Sequence, residues 1–308
     1  MNGAPPVVVH EDGLRRWPPG KSAAALVTVN FDAEALLLAA DPGMARRTKT
    51  MSVLRYGVTR GVDRLLATFA EAGLATTWFV PATVATAHPE AVRKIVAAGH
   101  TVGLRGHDVA PLDALSTRER AELLAEAVAA LSAVAERPVR GFRLPTGEWP
   151  VTLARQLADL GITWSSSWPG DDTPFVLPAG EGRRLVEIPV SYATDDRTAF
   201  FWNLNPPFPA GQARISGYAE VLDNWLLELE GCRREGLLFV LQLHPEISGT
   251  PGRIALVERM LDELRRDDGI WCPTGDELAS WWSANHPGNP AGHPADLFHL
   301  HTTNGEEL

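Results

Sequence analysis

The feature that most constrains this chain is an alternation: short apolar runs rich in β-branched and aromatic residues take turns with longer segments of helical periodicity. Apolar runs at Ala23–Asn30, Thr76–Val80, His100–Leu104, Val139–Leu144, Ile162–Ser166, Leu185–Val190, Leu237–Leu243 and Ile270–Cys272 read as strands. Between them, Gly61–Ala72, Glu90–Ala98, Ser116 to about Glu136, Val151–Leu160, Tyr218–Glu230, Arg253–Arg265 and Gly275–Trp282 read as helices. Ser116 and Glu119 have the spacing of a capping box, and Gly73 and Gly99 stand where helices stop. Strands that repeatedly alternate with helices predict an α/β fold with a parallel sheet or barrel and helices outside.

Two stretches break the rhythm. Residues 1–22 are rich in Pro and Gly and read as an irregular lead-in. Residues 171–217 carry many Pro, Gly and aromatic residues around one strand and read as an elaboration over the site. One domain is therefore expected over 23–285, followed by a loosely ordered tail at 286–308. His299 and His301 in that tail lack a third ligand and read as ordinary tail residues. The loop after Glu34 holds Arg46, Arg47 and Lys49, which read as solvated, with a lid as the functional alternative.

A net charge of −10 and the lack of a basic stripe argue against nucleic acid as a partner. No apolar run approaches the ~20 residues of a membrane span, and the opening residues do not read as a secretory segment. A cytoplasmic location is the resulting expectation. Cys232 and Cys272 have no metal-ligand spacing and read as core residues.

Chemistry is expected at the strand ends, because α/β folds bind ligands there. The first strand ends in Asp32 and Glu34, which alternation would place on one side of an extended segment. Burying an acid without a partner costs several kcal/mol, so such a pair marks a site or a capped turn. Arg105 and His107 follow the third strand, Arg143 the fourth, and His244 ends Leu241-Gln-Leu-His244-Pro245. A lone strand-end histidine is more often a satisfied core residue, but four polar strand ends converging on one barrel face are harder to dismiss.

Asn30-Phe-Asp32-Ala-Glu34, Gly99-His-Thr-Val-Gly-Leu-Arg-Gly106, Phe142-Arg-Leu-Pro-Thr-Gly147 and Leu243-His244-Pro245 together resemble the motifs of the polysaccharide deacetylases with NodB homology. The resemblance covers roughly residues 15–285. Trp78-Phe-Val-Pro81, Glu187-Ile-Pro189 and Asp195-Asp196 are similar to the subgroup holding a cytoplasmic peptidoglycan deacetylase. Arg16-Trp-Pro-Pro-Gly20 and Tyr56-Gly…Arg60-Gly61 are similar to metal-independent allantoinases.

The resemblance implies an irregular (β/α) barrel of fewer than eight repeats and a hydrolase of a non-peptide carbon–nitrogen bond. The substrate would be an N-acetyl sugar or a cyclic amide or ureide. It implies Asp32 as general base, Arg143 orienting it, and His244 as general acid, with Glu34, Arg105, His107, Trp149, Asp195 and Trp202 as substrate-binding residues. The family's metal-binding histidine pair falls on Arg105 and Val109, neither of which is a ligand. No metal or other cofactor is therefore expected, with Arg105 pairing to Glu34 or Asp32 instead. A relocated metal site of Glu34, His107 and Asp108 is the minor variant. The rival function is a catalytically inactive homologue that binds a carbohydrate or ureide. Phe200-Phe-Trp-Asn-Leu-Asn-Pro-Pro-Phe208 is too apolar for a free loop and reads as a roof over the site, an interface in a homo-oligomer, or internal packing.

Overall fold

The computed structural model describes residues 15–201 and 215–295. The first half runs β1 (Ala23–Asn30), α1 (Ala35–Ala40), α2 (Thr48–Tyr56), α3 (Val62–Ala72), β2 (Thr77–Val80), α4 (Ala82–Ala87), α5 (Pro89–Ala97), β3 (Thr101–Leu104) and α6 (Thr117–Ala135). The chain continues with β4 (Gly141–Phe142), α7 (Leu153–Asp159), β5 (Trp164–Ser165), β6 (Phe175–Pro178), β7 (Arg184–Glu187) and α8 (Asp196–Phe200). It closes with α9 (Tyr218–Glu235), β8 (Leu238–Leu243), α10 (Ile254–Arg266), β9 (Ile270–Trp271) and α11 (Gly275–Asn285).

The strands form one sheet in the order β6-β7-β5-β4-β3-β2-β1-β8, and β9 joins the start of β1. Every pairing is parallel except β6 with β7. This mostly parallel sheet, curled and surrounded by helices, is an irregular (β/α) half-barrel. Central β1 is buried along its whole length, as expected of a strand covered on both faces. The Ser116–Glu119 capping box forms, and a second one joins Thr274 to Glu277 at the start of α11.

Four stretches differ from the sequence expectation, the first being the short helix α4 (Ala82–Ala87), which the periodicity leaves unassigned between β2 and α5. The segment after Glu34 is helical, as α1, a 3₁₀ turn at Pro42–Arg46 and α2; short helices interrupted by Pro42 and Gly43 leave little periodicity to read. The elaboration contains β6, whose antiparallel pairing with β7 gives it a partner invisible in local sequence. The start of the tail is attached: Asn289 donates to the Val176 carbonyl and accepts from its N–H, and His293 Nε2 lies 2.8 Å from Asp171. His299 and His301 lie outside the described residues.

Cys232 and Cys272 are free thiols, each pushed up to about 11, chiefly by burial. Among the described residues no helix is long and apolar enough to cross a membrane.

Two glycines set the geometry around the end of β8. Between α2 and α3 the helix widens into a π turn, Gly57–Gly61. A Cβ on Gly61 would run into the Pro245 carbonyl, and one on Gly57 would meet the Glu246 nitrogen at 2.9 Å. Only glycine lets this backbone rest directly on the His244–Glu246 turn, which gives the Tyr56-Gly…Arg60-Gly61 pattern a physical reason.

Candidate active site

Asp32 sits just past β1 and is fully buried. Ala33 then takes a left-handed φ of 44°, and Glu34 turns into α1 with helical angles. The segment is therefore not extended, and the two acids do not share partners. Asp32 Oδ1 accepts from Arg105 Nε at 2.5 Å, and its Oδ2 accepts from Arg197 Nη2 at 3.0 Å. Glu34 instead meets Arg55 at 2.8 Å and His88 at 2.9 Å. Burial alone would raise the Asp32 carboxyl, but the two guanidiniums hold it below its ordinary value. Glu34 is lowered to about 2, most strongly by the His88 hydrogen bond.

His244 lies at the end of β8 and is 1% exposed. Its Nδ1 is 2.6 Å from Asp196 Oδ1, while Asp196 Oδ2 accepts from the His244 N–H at 2.8 Å and from Ser248 Oγ at 2.6 Å. On the other side, His244 Nε2 is 3.3 Å from Asn30 Nδ2. Arg143 determines which way that amide points. Its Nη1 donates to Asn30 Oδ1 at 3.1 Å and to Thr28 Oγ1 at 2.9 Å, so Nδ2 must face the histidine. An amide nitrogen can only donate, so His244 Nε2 presents its lone pair and Nδ1 carries the hydrogen toward Asp196. Burial drives the His244 pKa well below its usual value, reinforced by Arg197, Arg105 and Arg143, so the ring is neutral. Burial and the adjacent Asp195 push Asp196 upward, against the three donors that surround it.

Arg143 does not hold Asp32 by hydrogen bond, contrary to expectation. Its remaining donors go to Ser166: Nε to the carbonyl at 2.8 Å and Nη2 to the hydroxyl at 2.7 Å. Its guanidinium carbon lies 4.1 Å from the Phe79 ring centroid, and burial lowers its pKa to about 9. Arg143 is thus the fixture for Asn30 and, through it, for His244.

The other expected substrate-binding residues separate. Asp195 lies 3.7 Å from His244 Nδ1 and caps α8 by accepting from the Arg197 N–H at 2.8 Å. His107 is partly exposed, with its ring 4.0 Å from Asp108. Trp149 packs on Phe142 and Trp168, at centroid distances of 6.2 and 5.7 Å. Trp202 and most of the Phe200–Phe208 run lie outside the described residues; Phe200 and Phe201 are buried.

Sequence reading omitted Asp196, Arg197 and Glu246 as site residues. The signals are in the sequence: Asp196 and Arg197 adjoin Asp195, and Glu246 stands two residues past His244, the same spacing as Glu34 beyond Asp32.

The donor set does not fit a cation. Arg105 is committed to Asp32, Val109 is buried and apolar, and Glu34 is committed to Arg55 and His88. Among the described residues one cluster, Asp195, Asp196 and His244, brings three ligand-type atoms within 4.8 Å of one another. Its Asp196 oxygens are both hydrogen-bonded, and an ion there would face the same three guanidiniums that depress His244. Bringing an ion to ~2 Å from these oxygens would require breaking that network.

A family model described as polysaccharide deacetylase matches residues 47–165, a stretch holding Arg105 and Arg143 but neither Asp32 nor His244. A Mycobacterium smegmatis protein assigned to the polysaccharide deacetylases has a crystal structure that aligns with a TM-score of 0.85 at 33% identity, covering 90% of this chain and 95% of that one. The Helicobacter pylori peptidoglycan deacetylase is 22% identical over 252 residues, 74% of this chain and 85% of its own length. The crystal structure of the Puue allantoinase shares the fold, with a TM-score of 0.77 at 21% identity over 89% of this chain and 94% of that one.

Proposed function

The chain belongs to the polysaccharide deacetylase family, and on that premise we propose that it hydrolyses a non-peptide carbon–nitrogen bond, in an N-acetyl sugar or a cyclic amide or ureide, without a metal ion. The observation that carries this reading is the placement of His244, fixed between Asp196 and Asn30 beside two guanidiniums that Asp32 anchors.

The general-base role goes to His244 instead of Asp32. Asp32 is held low and both its oxygens are taken by arginines, whereas neutral His244, though itself lowered by burial and the same guanidiniums, keeps one acceptor nitrogen, Nε2, which serves as base once water replaces the Asn30 N–H that it accepts. His244 Nε2 takes a proton from water as the water oxygen attacks the carbonyl carbon. The resulting imidazolium is stabilised through Nδ1–H by Asp196. The carbon–nitrogen bond then breaks, and the departing nitrogen takes the proton from Nε2. The products are a carboxylic acid and an amine, or a ring-opened equivalent. Negative charge builds on the carbonyl oxygen during attack. Arg197 answers it with its Nε–H, a buried donor that has no hydrogen-bond partner among the described residues, and Arg105 adds fixed positive charge. Guanidiniums replace only part of what a metal supplies, since they do not generate hydroxide from water at neutral pH. Substrates more electrophilic than an acetamide should therefore turn over faster.

The test is an assay on N-acetylglucosamine oligomers, cyclic ureides and cyclic imides. Turnover of one class, lost in His244→Ala, is expected; inactivity on all three would overturn the reading. The near-complete burial of Asp32 and His244 favours a second reading, a ligand-binding homologue without turnover. Tight binding of a sugar or ureide, unchanged over hours with no product, would establish it.

A further inference from the structure

Beside the Asp32–His244 centre lies a cavity of about 490 Å³ between α2, the end of α8 and the turn after β8. Its walls are apolar, with Val53, Leu54, Phe200 and Ile247 among them. Two polar side chains line it that, among the described residues, find no hydrogen-bond partner for a buried polar atom. Glu246, with a side chain 1% exposed, has no hydrogen-bond partner among the described residues for either carboxylate oxygen. Arg253, whose guanidinium carbon stands 4.9 Å from the Phe200 ring centroid, has no partner for its buried Nε–H. Buried polar groups are nearly always satisfied, so an orphan acceptor and an orphan donor on one cavity ask for a ligand that supplies both partners. The volume is that of a small-molecule site.

We propose that this cavity is a binding subsite for a neutral amide or ureide bearing an apolar arm: Glu246 accepts the ligand's N–H, Arg253 Nε donates to its carbonyl, and the apolar walls hold the arm. The subsite deepens the hydrolase reading, on which it rests for the idea that the ligand is a substrate. A cationic ligand fits less well. Glu246 Oε1 is already 3.7 Å from Arg197 Nη2, and Arg197 and Arg253 would both repel an ammonium group. Arg197 also links the cavity to the reaction centre, because the same Nη2 donates to Asp32. An amide seated at Glu246 would therefore lie against the guanidinium that faces the reacting carbonyl.

The test is an NMR titration of the purified protein with N-benzylacetamide, acetamide and benzylammonium. N-benzylacetamide is expected to bind at least about tenfold more tightly than acetamide, the preference coming from burial of the ring. At pH 8 or above, where the Glu246 carboxylate is mostly ionised, Glu246→Gln should weaken N-benzylacetamide about tenfold, a neutral acceptor replacing a charged one for its N–H. Val53→Arg, at the exposed rim, should weaken it as well while leaving the melting temperature unchanged. Equal affinity for the two amides, tighter binding of benzylammonium, or indifference to both substitutions would overturn the subsite. Benzyl-amide selectivity in a protein that hydrolyses nothing would keep the subsite and remove the hydrolase reading. Hydrolysis with no preference for an apolar arm would do the reverse.

Discussion

Asp32 and Glu246 make an instructive pair. Both are carboxylates just beyond the ends of neighbouring parallel strands, β1 and β8, and both are buried. Arg197 touches both, at 3.0 Å from Asp32 and 3.7 Å from Glu246. Yet Asp32 is held below its ordinary pKa, while Glu246 is raised to about 7, chiefly by burial. The difference is hydrogen bonding. Asp32 receives a guanidinium N–H on each oxygen, and Glu246 receives none on either. Burial by itself raises a carboxyl, and partners decide whether that rise survives. One sheet end thus holds a carboxylate kept low by its partners and one raised by burial side by side. Glu187 at the end of β7 falls between them: its Oε1 accepts from the Trp168 N–H at 2.9 Å, its Oε2 is orphaned, and it too is raised to about 7.

The sharpest way to break the contrast is to remove the anchor. Asp32→Ala leaves the Arg105 and Arg197 charges buried without their carboxylate and should cost about 3–5 kcal/mol of stability, measured by urea denaturation. Loss below about 1 kcal/mol would mean that the guanidiniums relax into solvent and that Asp32 is no anchor. Next comes the reaction itself. In His244→Ala, kcat on a substrate found active should fall by about 10²–10⁴, with circular dichroism unchanged. In the wild type, activity should persist below pH 6, since the depressed His244 stays neutral there.

The titratable member gives an effect of opposite sign. An unfolded glutamate releases its proton near 4.5, whereas folded Glu246 releases it near 7. Between those values the native state binds more protons, so stability falls as pH rises from about 4.5 to 7 and stays reduced above. Glu246→Gln should therefore be more stable than wild type at pH 8, by up to about 3 kcal/mol, with the gap closing below pH 4.5. Thermal melts across pH 4–8 measure it, and a variant less stable at pH 8 would show that the ionised carboxylate is well served by Arg197. The smallest effect concerns Glu34. Its contribution is present above about 4.5 and is lost as pH falls toward 2. Arg55→Ala, which removes an exposed ion-pair partner, should cost no more than about 1 kcal/mol, with His88 keeping the remaining bond.

Much of the architecture was legible because it is written in local periodicity. The β1 run, the capping box at Ser116 and the stop at Gly73 each depend on residues a few positions apart, and the alternation of strand and helix leaves a parallel sheet as the economical arrangement. The strand-end rule then brought Asp32, Arg105, Arg143 and His244 to one face. Who pairs with whom was not legible. Arg143 was expected at Asp32 and sits on Asn30, Thr28 and Ser166; Arg197 and Asp196, from the irregular segment after β7, complete the centre. Partner choice between side chains 23 to 165 residues apart in the chain depends on angstrom-scale placement. A left-handed turn at Ala33 or the π turn over Gly57–Gly61 sets that placement, and neither leaves a periodic trace. Sequence by itself indicated the parallel sheet, most of its strands and longer helices, and the strand ends at which polar side chains gather. Only the tertiary structure decided which buried charges are answered and which are left open, because desolvation and hydrogen bonding are properties of the packed neighbourhood rather than of the residue.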